Sequence, residues 1–154
     1  MGEGSILEQT DQGAVLKLPS SLLFEEPYSD KINATMREKI RNFAKIIQRL
    51  PDQVEVNVRG YTDNTPLPAS SGFKDHYALA ASRAYKVMHA LLRDGISPQK
   101  LSFTSYGQNN PIMPNDSVED RMHNNRVEIY FYTNKQNVEK IHSILDHNIS
   151  GNND

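Results

Sequence analysis

Apolar residues along this chain recur at two periods, and the switches between them mark out the elements. From Gly13 the run Ala14, Val15, Leu16, Lys17, Leu18 reads as a short strand halted by Pro19, with Ser20 to Phe24 continuing the extended path. Ile32, Met36, Ile40, Phe43, Ile47 and Leu50 then fall at steps of three and four, one face of a helix over Ser29 to Leu50. Ser29 is placed to cap it, Lys45 and Arg49 suit the negative end of its dipole, and Pro51 forbids continuation. Val54, Val56 and Val58 alternate with Glu55, Asn57 and Arg59 as a second strand, and Gly60 to Gly72 is a loop rich in Gly, Pro, Ser, Asn and Asp. A second helix runs from about His76 to Arg93, burying Ala80, Ala84, Val87, Met88 and Leu91, with Gly95 closing it. Leu101 to Tyr106 and Arg126 to Tyr132 complete the strands, the latter with Val127, Ile129 and Phe131 on one face. Asn134 to His147 is a short amphipathic helix, and Ile149 to Asp154 is expected to fray.

The order strand, helix, strand, helix, strand, strand predicts an α+β fold, a two-layer sandwich with a small mixed sheet, two main helices and a C-terminal helix. Right-handed crossovers make the strands flanking each helix parallel and leave the last strand free to enter antiparallel. Residues 1–12, with only Ile6 and Leu7 as sizeable apolar groups after the initiator, read as a flexible arm; 13–133 form the domain and 134–154 the C-terminal helix and tail.

Composition narrows the function more than the fold. A chain of 154 residues with a net charge of −2 lacks the basic excess that neutralises phosphates, so nucleic acid is not an expected partner. Cysteine is absent, which removes disulfides, thiol nucleophiles and Cys-based zinc sites. No apolar run approaches the roughly 20 residues of a membrane-spanning helix. The five histidines show no i, i+4 pair, and neither a Gly-x-Ser-x-Gly elbow nor a phosphate loop occurs, so neither a metal site nor a catalytic site is expected.

The residues left with chemical interest are Tyr61-Thr62-Asp63-Asn64 at the exit of the second strand and Arg83 at the shoulder of the second helix's buried stripe. A guanidinium there requires an anion or carbonyls around it, because an unpaired desolvated charge costs several kcal/mol. Two arrangements satisfy that need. Arg83 can close an internal salt bridge with Asp63, or the two can stand a few ångströms apart and hold a zwitterion, Asp63 taking its ammonium and Arg83 forking onto its carboxylate.

The segments RGYTDN (Arg59 to Asn64), LAASRAYKV (Leu79 to Val87), LSFTSYG (Leu101 to Gly107) and NNRVEI (Asn124 to Ile129) together resemble the OmpA-like peptidoglycan-binding domain family, over about Gln12 to Tyr132. The long loop from Thr62 to Ala84 is most similar to flagellar motor stator B subunits of the MotB and PomB type. The resemblance implies that Asp63 and Arg83 grip the diaminopimelate of a peptidoglycan stem peptide, with Thr62, Asn64, Leu79 and Arg126 at flanking motif positions that shape the pocket. The chain departs from the pattern twice. Leu79-Ala80 stands where the family usually has Leu-Ser, and Asp120-Arg121 with Asn124-Asn125-Arg126 stands where a Gly-Arg pair and then Asn-Arg-Arg are usual.

By the same resemblance the chain is expected to be a non-catalytic, cofactor-free wall anchor. It would be a periplasmic fragment of a parent held in the inner membrane, with Met1-Gly2 an introduced start. Implied partners are peptidoglycan, a second copy in a homodimer, the stator A subunit through the parent's membrane part, and flagellar basal-body ring proteins. Two alternatives stay open: an outer-membrane lipoprotein or porin tail tethering the envelope to the wall, and a wall hydrolase or amidase using Asp63 as base. The latter lacks a second carboxylate placed near Asp63 in sequence.

Overall fold

The computed structural model describes residues 4–149, which form one five-stranded mixed sheet covered on one face by helices. Strands β1 (Ile6–Thr10), β2 (Gly13–Pro19), β3 (Glu55–Tyr61), β4 (Leu101–Gly107) and β5 (Arg126–Tyr132) lie in the order β1-β2-β5-β3-β4. The helices are α1 (Ser20–Leu23), α2 (Ala34–Ile47), α3 (His76–Arg93), α4 (Val118–Asn124) and α5 (Lys135–Ile149). As the crossover rule requires, β3 and β4, which flank α3, pair parallel, while β5 enters antiparallel between β2 and β3.

The alternation read from the sequence decides which face is covered. Leu16 and Leu18 of β2, Val56 and Val58 of β3, and Val127, Ile129 and Phe131 of β5 form one apolar layer beneath the helices. Met36, Ile40, Phe43, Ala44 and Ile47 of α2 pack into the same core with Ala84, Val87 and Leu91 of α3 and Ile141, Leu145 and Ile149 of α5. The close approach of α3 to β3 depends on Gly60, where a Cβ would stand 2.1 Å from the Ala80 carbonyl oxygen.

Four sequence expectations need correction. Ile6–Thr10 is not a free arm: it pairs antiparallel with β2 along its length, and Lys17 reaches Glu8 at 3.2 Å. As an edge strand it leaves Ile6 half exposed, so no alternation of buried positions announces it. Residues 1–3 lie outside the described residues. Ser20–Leu23 is not extended but makes a helical turn before Phe24 bridges to Ile32. That bridge takes Ile32 out of α2, which starts five residues later than the spacing predicts, capped by Asn33, whose Oδ1 accepts from the Met36 N–H at 2.8 Å, instead of by Ser29. Finally, Ile149 does not fray but is buried in the last turn of α5, while the remainder of the expected fray, residues 150–154, lies outside the described residues.

Candidate functional site

The strand-to-loop exit at the end of β3 is fixed on both sides. The Thr62 N–H donates to the Gly107 carbonyl at 2.8 Å, carrying the ladder one residue past β3, and Thr62 Oγ1 lies 3.0 Å from His76 Nδ1 at the start of α3. Asp63 then turns the chain: its Oδ1 accepts from the Thr65 N–H at 2.8 Å, an Asx turn that leaves Oδ2 without a hydrogen bond among the described residues. Asp63 is half-buried and lines a pocket of about 140 Å³ together with Ser21, Val118, Arg121, Met122 and Asn125.

Arg83 does not close the internal salt bridge: it is 2% exposed, and no ion pair joins it to Asp63 among the described residues. Its Nε donates to the Ser29 carbonyl at 2.7 Å, its Nη1 to Asn125 Oδ1 at 3.0 Å, and its guanidinium lies 4.7 Å from the centre of the Phe24 ring. Burial lowers its pKa to about 10, against the opposing influence of Asp63 and Asp30, so the group stays cationic at neutral pH. Nη2 makes no hydrogen bond among the described residues. Asn125 thus serves twice, holding the arginine and lining the pocket.

The remaining motif residues separate by role. Arg126 does not line the pocket: it is buried, its Nε 3.1 Å from Glu128 Oε2, its Nη1 on the Asn124 carbonyl, and its guanidinium 3.9 Å from the Tyr61 ring centre. It braces the segment that carries Asn125. Leu79, in the first turn of α3, is buried, and Asn64 is exposed within the Asx turn.

Sequence reasoning missed α4 and the residues it contributes. Ser117 caps this helix, its Oγ accepting from the Asp120 N–H at 3.0 Å, and Glu119 and Asp120 occupy the first turn, a signature that was present in the sequence. Asp120, a departure from the family pattern, sits there on the helix, while the adjacent Arg121 lines the pocket and brings a cation to the same cavity as Asp63. Asn124, fully buried, accepts from the Ile112 and Met113 N–H groups and donates to the Met113 carbonyl and Asn115, closing the preceding loop onto α4. Among the described residues no three His, Asp or Glu side chains gather as a metal site would need, and no helix is long and apolar enough to cross a membrane.

A five-stranded mixed sheet with this helix layer and this strand-exit pocket defines the class. The sequence matches the OmpA family over residues 24–126, and the chain belongs to that family. It is 63% identical over 145 residues to Motility protein B of Helicobacter pylori, an alignment covering 94% of this chain and 56% of that protein. The chain therefore spans about half the length of these curated relatives that it matches. It also resembles the crystal structure of the periplasmic domain of Helicobacter pylori MotB, with a TM-score of 0.81 and 59% identity over 96% of this chain and 94% of that one. A more distant relative, the probable lipoprotein YiaD of Escherichia coli, is 28% identical over 132 residues, 83% of this chain and 55% of that protein.

Proposed function

We propose that this chain is the wall-binding, non-catalytic periplasmic part of a flagellar stator subunit, and that the pocket at the β3 exit receives the diaminopimelate end of a peptidoglycan stem peptide. The observation that carries the reading is the charge layout of that pocket. Asp63 offers a free carboxylate oxygen to an ammonium, while Arg121 in the lining and Arg83 behind Asn125 offer cations to a carboxylate. A ligand bearing both charges on one carbon matches such a cavity, and pairing in a partly dry site makes each contact worth more than at an open surface. The high identity to Motility protein B supports the stator assignment over the lipoprotein or porin alternative. On this reading the parent sits in the inner membrane and meets a stator A subunit there. A second copy and the basal-body rings are its further partners, Tyr130 and Tyr132 on the helix-free face of the sheet being a surface for the copy.

The test is co-sedimentation with purified diaminopimelate-type peptidoglycan. Asp63→Asn keeps the shape of the turn and the Oδ1 contact to Thr65 but loses the charge. We expect wall binding to fall by about 2 to 5 kcal/mol, at least thirtyfold in affinity, with an unchanged melting temperature. Undiminished sedimentation of the folded variant refutes the site.

A further inference from the structure

A second cleft, of about 270 Å³, opens between α2 and α3, away from the Asp63 pocket. Arg37 and Arg41 form one bank, a helical turn apart, and Lys86 and Arg93, two turns apart, form the other. With Lys31, itself paired with Glu25 at 3.4 Å, and with Asp30 and Asp94 opposing, the lining residues sum to three positive charges on a chain whose total is −2. The two acids do not consume this charge. Lys86 to Asp30 is 4.0 Å and Arg41 to Asp94 is 3.9 Å, both at the outer limit of an ion pair, and Asp30 also accepts from the Ser82 hydroxyl. The side chains of Arg37 and Arg93 make no hydrogen bond or ion pair among the described residues. Core packing does not call for them, since Ile32 and Ala90 are the only apolar residues among those lining the cleft. Five cations in one concavity repel one another and raise the local concentration of anions.

We propose that this cleft docks an extended acidic segment of a partner protein. Two arginines with unused planar forks, one from each helix, suit carboxylates taken bidentately. Lys86 and Arg93 lie about 10 Å apart along α3 at 1.5 Å per residue. An extended peptide repeats its side chains on one face every 6.6 to 6.8 Å or so, so two or three alternate Asp or Glu residues span the cationic row.

The test is fluorescence anisotropy with a labelled (Glu-Gly)4 peptide at low salt, against (Gln-Gly)4 as the neutral probe. We expect saturable binding of the acidic peptide alone. Arg37→Glu combined with Arg93→Glu should weaken it at least tenfold with an unchanged melting temperature, because both residues are solvent-exposed. Lys45→Glu combined with Lys140→Glu makes the same change in net charge outside the cleft and should keep affinity within threefold. Asp63→Asn should leave peptide binding intact, which separates this docking surface from the wall site. Equal losses in the two double variants would reduce the effect to net charge and overturn the proposal. So would displacement of the peptide by equimolar inorganic phosphate, or a loss of wall co-sedimentation in the Arg37→Glu, Arg93→Glu variant.

Discussion

Replacing Arg126 by Met tests whether this arginine is a brace or a ligand contact. Glu128 is 2% exposed and has two protein partners for its carboxylate, Arg126 Nε at 3.1 Å and the Tyr130 hydroxyl at 3.2 Å. Met preserves much of the stem that packs under Tyr61 but leaves Glu128 with one neutral donor, and a buried charge stripped of its ionic partner costs about 3 to 5 kcal/mol. The carbonyl of the buried Asn124 at the end of α4 also loses its Nη1 donor at 3.1 Å, and that of the exposed loop residue Asn110 its Nη2 donor at 3.4 Å. We therefore expect Arg126→Met to lower stability in urea at pH 7 by about 3 to 5 kcal/mol. Adding Glu128→Gln removes the stranded charge and should recover about half of the loss, since a neutral buried pair is far less costly than a lone carboxylate. Wall binding per folded molecule should stay within threefold, because Arg126 is absent from the pocket lining. A single-variant cost below about 1 kcal/mol, or no recovery on adding Glu128→Gln, would refute the brace. A tenfold loss of binding in the folded fraction would return Arg126 to the ligand.

Stability should fall steeply above pH 10. Burial first, then Glu128, raises the phenols of Tyr61 and Tyr130, and burial first, then Glu55, raises that of Tyr132, all from the usual 10.0. The folded state therefore keeps protons that the unfolded chain releases. Arg83 acts the other way, the unfolded chain still holding its proton above about pH 10 where the folded chain releases it, but three phenols outweigh one guanidinium. Urea midpoints at pH 9, 10 and 11 check this, and Tyr61→Phe should flatten the decline; a midpoint rising with pH over that range would contradict it. Gly60→Ala should leave little folded protein, because the new methyl meets the Ala80 carbonyl carbon at 2.8 Å as well as its oxygen, and neither backbone can yield without lifting α3 off β3; a circular dichroism melt within 3 °C of the parent would contradict this.

What the sequence made legible follows from where each element's information is stored. The bounds of α3 were readable because Gly95 and the apolar stripe before it are local signals, the structure adding Asp75 as the N-cap, and β5 was readable because both of its neighbours bury the same alternate positions. The failures share the opposite property. Ile32 falls at helical spacing yet belongs to a bridge with Phe24, so periodicity alone placed it in α2. The apolar residues Val118 and Met122 of α4 are 67% and 52% exposed, so the helix has no buried stripe to detect. Arg83 is the instructive case. Its spot on the shoulder of α3 announced that something must receive its charge, but the receivers, the Ser29 carbonyl and Asn125, lie 54 and 42 residues away. One is a backbone atom, for which side-chain identity carries no signal. The other stands where the family usually places a second arginine, and two guanidiniums in that position would repel. With Asn125 there, its amide oxygen takes Nη1 of Arg83, and the cation of the pocket lining comes from Arg121 on α4 instead. The departure at Asn125 thus gives the buried Arg83 its side-chain acceptor.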